Sequence, residues 1–101
     1  MILYNVTINI NHGREKEWLG WMVNQHIPEV MKTGMFSSFN IYRLLVEDQS
    51  GGTNYSIQYA AESLAHVEKY LQEYAPVLMS VHNTKFRDEH AAYRTVMEKV
   101  A

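Results

Sequence analysis

The chain has 101 residues and a formal net charge of −2; 47% of its residues are hydrophobic and 20% are charged. This composition predicts one globular domain spanning residues 1–101 and argues against nucleic-acid binding, which needs a basic surface. The chain has no cysteine, no basic stretch for a membrane surface, and no apolar run near the roughly 20 residues of a membrane span. Because no basic segment precedes the first apolar residues, we expect a cytoplasmic protein without a signal peptide.

The first half of the chain is predicted to form a strand and then a helix. Hydrophobic and polar side chains alternate from Ile2 to Asn11, which indicates a β-strand. From Arg14 the hydrophobic spacing becomes three and four residues, which indicates an amphipathic helix that Gly34 ends. Pro28 lacks a backbone N–H and disfavours helical geometry in the residue before it. We therefore expect a kink or break at residues 25–27, with Pro28 opening a second short segment.

The second half repeats this pattern. Ser63 is a good N-cap for a helix, and Pro76 interrupts that helix as Pro28 interrupts the first. The predicted elements of this half are a strand at residues 36–48, a hairpin loop at 48–52, a strand at 53–62, a helix after Ser63 and a strand at 90–100.

The element order β-α-β-β-α-β predicts an α+β, ferredoxin-like fold. In this fold right-handed crossovers place two helices on one face of a four-stranded antiparallel sheet. The alternation in the first and third strands assigns one set of side chains to the face beneath the helices and the other set to the uncovered face. The covered set is Ile2, Tyr4, Val6, Ile8, Tyr55, Ile57 and Tyr59; the uncovered set is Asn5, Thr7, Asn9, Asn54, Ser56 and Gln58.

The uncovered face is expected to be polar in its middle and apolar at its margin. Arg43 and Arg94 are placed there, because an arginine beneath the helices would need a buried partner. The same register places Phe39, Ile41 and Leu45 at the margin. Such a face is either solvated or closed by a second copy that encloses a cavity. We expect a homodimer, because a bare apolar margin would be a sizeable exposed patch.

Five short stretches resemble an uncharacterised family of small bacterial proteins known only as a domain of unknown function. They are "YNVT" from Tyr4, Trp18 through "HIPEV", "FSS" from Phe36, "YSIQY" from Tyr55 and "YRT" from Tyr93. The chain is also similar to the dimeric α+β barrel superfamily, in which two ferredoxin-like sheets pack face to face. That superfamily includes cofactor-free monooxygenases, haem-degrading enzymes and muconolactone-isomerase-like proteins. The resemblance implies the fold and does not specify an activity.

His26, two residues before Pro28, is the candidate catalytic residue. One interpretation is structural, because a histidine near a helix C-terminus interacts favourably with the helix dipole. The other is catalytic, because imidazole titrates near neutral pH and can act as a general acid or base at the mouth of a cavity. The sequence leaves both interpretations open.

A set of polar side chains is the candidate ligand-binding site of the dimer cavity. The forked donors of arginine suit a carboxylate or enolate oxygen, and neutral amides and hydroxyls add hydrogen bonds. The alternative is that the arginines pair with carboxylates or bridge the subunits. The candidate residues are Arg94, Arg43, Gln58, Asn5, Thr7 and Asn9.

The sequence predicts neither a metal site nor a cofactor. The histidines have no close ligand pairing such as HxxxH on one helix, and no phosphate-binding or acyl-hydrolase motif is present. The leading hypothesis is a homodimer that binds a small organic molecule in a mostly polar cavity. The second is a cofactor-independent monooxygenase or isomerase acting on an enolisable substrate, with His26 moving a proton and Arg94 with Gln58 stabilising an oxyanion. The third is a structural or regulatory dimer without a ligand.

Overall fold

The computed structural model describes residues 1–46 and 50–101. The predicted hairpin loop at 48–52 and the end of the predicted second strand therefore lie partly outside the described residues. The strands are β1 (Ile2–Asn11), β2 (Ser38–Arg43), β3 (Gly52–Ala61) and β4 (His90–Glu98). The helices are α1 (Glu15–Trp21), α2 (Ile27–Lys32), α3 (Leu64–Glu73) and α4 (Ala75–Lys85).

The four strands form one antiparallel sheet in the order β2-β3-β1-β4. The long strands β1 and β3 are central, and the edges are β2 and β4. The helices follow β1 and β3, so the order of elements is the predicted β-α-β-β-α-β. The prediction of a ferredoxin-like α+β fold is confirmed. Within residues 1–46 and 50–101, no helix is long and apolar enough to cross a membrane.

Pro28 changes the helix differently from our expectation. The chain between α1 and α2 stays helical as a π-helical segment, Met22–His26, and Ile27 has helical dihedrals of −60° and −44°. Of the kink or break predicted at 25–27, a break does not occur, because these residues stay helical. Pro28 stands in the first turn of a second helical segment, α2, as predicted. The wider π turn accommodates a residue that cannot donate to the carbonyl four positions earlier. Gly34 follows the helix end with a φ of +77°, as predicted.

The second helical stretch contains a real interruption. Tyr74 lies between α3 and α4 with a φ of −117°, and Pro76 stands in the first turn of α4. Ser63 caps α3, as predicted: its side chain accepts a hydrogen bond from the backbone N–H of His66.

The core lies between the sheet and the helices. Alternation predicted the inward faces of β1 and β3: Tyr4, Ile8, Tyr55, Ile57 and Tyr59 are buried, while Ile2 and Val6 are partly buried against them. The indole of Trp18 is fully buried, and the same core contains Ile10, Met22, Ile27, Val30, Phe36, Val67, Tyr70, Ala75 and Phe86.

The faces of β2 and β4 were predicted wrongly. Phe39 pairs with Tyr59 and Ile41 pairs with Ile57, so both stand on the helix-covered side of the sheet. Leu45 lies beyond the end of β2 and is 88% exposed. Cross-strand partners share a face, and a shift of one residue moves every side chain of a strand to the other side.

Candidate functional site

A narrow cavity opens between the sheet and the helices on the β4 side of the molecule. Its volume is about 30 Å³, enough for one or two water molecules. Aromatic and aliphatic side chains form its inner wall, and a few polar groups face it. The lining residues are Tyr4, Val6, Ile8, Met22, His26, Ile57, Tyr59, Tyr70, Met79, His82, Asn83, Ala92 and Arg94.

Arg94 lies at this cavity and not on the uncovered face, where the sequence had placed it. It pairs with Val6 across β1 and β4, and its Nε donates to the Tyr4 hydroxyl at 3.1 Å. The expectation failed because β4 is an edge strand, so a long side chain on the helix side still reaches water and needs no buried partner. Among the described residues no carboxylate forms an ion pair with Arg94.

The Tyr4 hydroxyl has a proton that no other described residue accepts. It receives a hydrogen bond from Arg94, and a phenol can accept one bond while donating another. Burial raises the pKa of Tyr4, and the nearby Arg94 opposes this increase without cancelling it. The phenol is therefore protonated at neutral pH and is free to donate into the cavity.

Arg43 is also on the helix-covered side, at the opposite edge of the sheet, which corrects its predicted position. It pairs with Tyr55, and its Nε donates to the Tyr55 hydroxyl at 3.1 Å. That hydroxyl donates to Glu15 Oε2 at 2.5 Å, and Thr53 donates to the other oxygen of Glu15 at 2.9 Å. Arg43 Nε is also 3.8 Å from Glu15 Oε2. Each of these four residues thus has a polar partner within the cluster.

His26 ends the π-helical segment and faces the cavity. Its ring stacks on Trp21 with centroids 5.0 Å apart and lies 5.9 Å from the ring of His82. No described residue forms a hydrogen bond with either of its nitrogens. Burial, and secondly the neighbouring His82, lower the pKa of His26 to about 4. The imidazole is therefore neutral at pH 7, with a proton on one ring nitrogen and a lone pair on the other.

His82, on α4, forms the adjoining wall and is only 5% exposed. Trp18 Nε1 donates to His82 Nε2 at 2.9 Å, and His82 Nδ1 is 3.2 Å from Asn83 Oδ1. Burial is the largest cause that lowers the pKa of His82 to about 4. Burial likewise raises the pKa values of Tyr59 and Tyr70. At neutral pH, Arg94 is thus the charged group of the cavity lining.

The other predicted ligand-binding residues lie on the uncovered face and do not meet Arg94 or His26. Asn5 Nδ2 donates to Thr7 Oγ1 at 3.1 Å, and Asn9 Nδ2 donates to Asn54 Oδ1 at 3.1 Å. Gln58 pairs with Asn5 across β1 and β3, on the same face. The sheet therefore separates the predicted set into an uncovered polar row, the Arg94 cavity and the Arg43 cluster.

His82, Tyr70 and Met79 line the cavity but were not predicted as site residues. A signal existed for His82, because Leu78, His82 and Phe86 recur every four residues and share one helix face. Their relation to His26 depends on how α4 packs against the π-helical segment, which spacing along one helix does not reveal. In residues 1–46 and 50–101, no three His, Asp or Glu side chains gather in a way that could hold a metal ion.

Several solved structures share this architecture at low sequence identity. HapK from Hahella chejuensis superposes with a TM-score of 0.73 at 10% identity, covering 100% of this chain and 94% of that one. SnoaB from Streptomyces nogalater, described as a cofactor-independent oxygenase, gives 0.68 at 13%, covering 99% and 94%. A dimeric ferredoxin-like protein from an uncultured marine organism gives 0.66 at 14%, covering 99% and 95%. The chain is thus an α+β protein of the ferredoxin-like class.

The sequence identifies the family within that class. The profile of the family described as Domain of unknown function (DUF4286) matches residues 1–100, so the chain belongs to this family. The predicted resemblance to a domain of unknown function is confirmed. No curated protein matches the chain in sequence.

Proposed function

We propose that the protein binds a small organic molecule with an anionic oxygen in the cavity, where Arg94 and Tyr4 receive that oxygen. The observation that supports this most strongly is a pair of unclaimed donors. Among the described residues, the Tyr4 hydroxyl proton has no acceptor and Arg94 has no carboxylate partner. Charge-assisted hydrogen bonds from a guanidinium and a phenol suit a carboxylate, enolate or phenolate oxygen.

The rest of the cavity favours a flat, apolar body on that ligand. Tyr59, Tyr70 and Ile57 line the inner wall, and aromatic faces pack well against planar rings. The cavity volume of about 30 Å³ is too small for a planar organic ligand, so a lining side chain must move when the ligand binds. Met79 is the side chain best suited to move, because it is only partly buried and methionine is flexible.

Benzoate and benzamide test the proposal, because they have the same size and shape and differ in charge. We expect calorimetric titration to detect benzoate and to find benzamide much weaker. Arg94→Gln should weaken benzoate binding about tenfold or more, since a charge-assisted bond contributes about 1.5–3 kcal/mol. Arg43→Gln is the matched control and should leave binding unchanged, because Arg43 belongs to the Glu15 cluster.

Three results would contradict the proposal. Equal affinity for benzoate and benzamide would show that the site does not recognise the negative charge of the ligand. Binding that survives Arg94→Gln but not Arg43→Gln would move the site to the other edge of the sheet. A chain that binds none of a wider series of planar organic acids would support the third hypothesis, a dimer without a ligand.

A second candidate function is removal of a proton from an enolisable substrate, as in a cofactor-independent monooxygenase or an isomerase. The position of His26 supports it: the ring lines the cavity, and its nitrogens have no hydrogen-bond partner among the described residues. In such a step the substrate C–H bond breaks, the proton moves to a His26 nitrogen, and the electron pair shifts to the substrate oxygen beside Arg94. The fold shared with SnoaB, described as a cofactor-independent oxygenase, is consistent with this chemistry.

Deuterium uptake from D₂O by 2-indanone, an aromatic enolisable ketone, tests this second function. We expect the protein to accelerate uptake at pH 7, and His26→Gln to remove most of the acceleration. His12→Gln is the control, because His12 is exposed and lies outside the cavity. Acceleration that persists in His26→Gln would remove His26 from the reaction.

We further propose that two copies pair through the uncovered face of the sheet. Its polar middle contains Asn5 and Thr7, while Tyr42, Tyr93 and Met97 stand exposed around it. This margin replaces the Phe39, Ile41 and Leu45 margin expected from the sequence. The similarity to a dimeric ferredoxin-like protein supports the pairing, and a C2 dimer would bury the same margin twice.

Light scattering after size-exclusion chromatography tests the dimer. The wild-type chain should elute with twice its chain mass, and Tyr93→Asp should give monomers by placing charges in the contact. Val77→Asp is the control, because Val77 is similarly exposed, at 69% against 64%, but lies on α4. A wild-type monomer at micromolar concentration would contradict the dimer.

A further inference from the structure

The two histidines of the cavity differ in what their nitrogens contact. An indole N–H can only donate, so the bond from Trp18 Nε1 at 2.9 Å requires His82 Nε2 to be an acceptor. A neutral imidazole has one N–H, so the proton of His82 is on Nδ1. Nδ1 faces Asn83 Oδ1 at 3.2 Å and donates to it. Both nitrogens of His82 are therefore occupied by protein groups.

A third histidine lies on the surface side of this arrangement. His90 Nδ1 is 2.9 Å from the Phe86 carbonyl oxygen, and His90 Nε2 is 3.1 Å from Asn83 Oδ1. The Asn83 amide thus stands between two imidazoles and presents its oxygen to His82. Asn83 is on the exposed side of α4, so the chain of bonds leads from buried Trp18 to the surface.

His26 has no such partners among the described residues, yet His82 is part of the wall that holds it. The ring of Trp21 stacks on His26 at 5.0 Å and contacts His82 at 5.7 Å. His82 also packs against Phe86, with centroids 5.5 Å apart. A ring with a fixed orientation at this place limits where Trp21 and His26 can lie.

We infer that His82 is a positioning residue: Trp18 and Asn83 fix its tautomer and orientation, and its ring holds His26 as the imidazole free to exchange a proton with a bound molecule. The tautomer of His82 follows from the hydrogen bonds alone, whereas the part assigned to His26 rests on the proposed function. A base at His82 would first have to break its bond to Trp18 in the core. His26 needs no such rearrangement.

Nitrogen-15 NMR of the full chain labelled at histidine tests the inference without any ligand. At pH 7 we expect a single His82 tautomer, with the proton on Nδ1. Trp18→Phe should populate the Nε2–H tautomer, which free histidine favours. Trp21→Phe is the matched control and should leave the His82 tautomer unchanged, because Trp21 packs against His82 ring to ring and forms no hydrogen bond with it.

A second pair of variants covers the case in which Trp18→Phe does not fold. Asn83→Ala changes an exposed residue, and we expect it to keep the proton on His82 Nδ1 but to speed its exchange with water. His82→Gln can still accept from Trp18 but has no ring, so the ring-current shifts that Trp21 imposes on the His26 protons should decrease. It should also slow deuterium uptake by 2-indanone if that activity exists.

The outcomes separate the inference from the proposed function. A proton on His82 Nε2, or His26 ring shifts that do not change in His82→Gln, would overturn the positioning role even if benzoate binds. A fixed Nδ1–H tautomer in a protein that binds no organic acid would leave His82 as assigned and contradict the proposed function alone.

Discussion

Two tyrosine–arginine pairs lie at opposite edges of the sheet, and a carboxylate closes one of them. At the β2 edge, Tyr55 gives its hydroxyl proton to Glu15 and receives a bond from Arg43. At the β4 edge, Tyr4 receives a bond from Arg94 but has no acceptor for its own proton among the described residues. Similar parts thus form a self-contained cluster at one edge and an open, donor-rich cavity at the other.

The difference follows from how the two helical stretches begin. α1 has Glu15 in its first turn, where the carboxylate reaches Thr53 and Tyr55 on the neighbouring strand. α3 has no acidic residue in its first turn, so its half of the pseudo-symmetric fold offers no carboxylate at the equivalent place. Histidines stand beside the open pair. One half therefore pairs its polar groups with a carboxylate, whereas the other leaves the Tyr4 hydroxyl proton without an acceptor among the described residues.

The largest expected difference between the two edges is the stability that the β4 edge loses in acid. His26 and His82 have pKa values lowered from 6.5 to about 4, so the unfolded chain binds protons before the folded one does. The stability that these rings contribute is complete above pH 6.5 and is lost as the pH falls from 6.5 towards 4, by about 3 kcal/mol for each ring. Urea unfolding at several pH values measures this loss.

Histidine substitutions test whether the stability lost in acid comes from the cavity. His26→Gln should reduce the dependence of the unfolding free energy on pH between 6.5 and 4.5 to about half. His12→Gln, an exposed histidine outside the cavity, should leave that dependence as it is in the wild type. If the unfolding free energy of the wild type is constant over this pH range, the two rings are solvated. The two edges would then not differ in their response to acid.

The sequence predicts those structural features that depend on neighbouring residues. The alternation in β1 and β3, the Ser63 cap and the Gly34 stop are properties of neighbouring residues, and each was predicted correctly. The fold followed from the order of elements. A kink or a break was predicted at 25–27, and no break occurs, because a π turn absorbs a proline without leaving helical geometry.

The site was harder to predict, because it depends on register and packing between distant segments. Arg43 and Arg94 were assigned to the uncovered face on the argument that a charge beneath helices needs a partner. The edge strands allow both side chains to stand on the helix side and still reach water. His26 was predicted at the mouth of a cavity closed by a second subunit, whereas the structure places it in a cavity between the sheet and the helices. Nothing near it in sequence indicates that His82 packs beside it.

Removing the carboxylate should convert the closed edge into a copy of the open one, at a cost of about 2 kcal/mol. Glu15→Ala leaves the Tyr55 hydroxyl and Arg43 without their acceptor, and hydrogen bonds to charged groups contribute about 1.5–3 kcal/mol. Hydrogen bonding from Tyr55 is the largest cause that lowers the pKa of Glu15 below 4.5. Its stabilising contribution is therefore present above pH 4.5 and is lost as the pH falls through the lowered pKa.

Urea unfolding of Glu15→Ala at pH 7 and at pH 3 checks both statements. The deficit relative to the wild type should be full at pH 7 and smaller at pH 3. Glu17→Ala is the control from the same turn: Glu17 pairs with Arg14 in solvent, so its removal should barely move the unfolding midpoint. If Glu15→Ala and Glu17→Ala behave alike, the cluster at the β2 edge has no special stability.

Deleting one hydroxyl at each edge should give the smallest and most selective difference. Tyr55→Phe removes a donor to the Glu15 carboxylate and should cost about 2 kcal/mol, whereas Tyr4→Phe removes an acceptor from Arg94, which solvent can replace, and should cost about 0.5 kcal/mol. The order should reverse for benzoate, because Tyr4→Phe removes a donor to the ligand and Tyr55→Phe does not. Urea unfolding and benzoate titration of Tyr4→Phe and Tyr55→Phe are therefore two independent tests of the difference between the edges. Equal losses in both measurements would mean that the two edges are chemically equivalent despite the carboxylate.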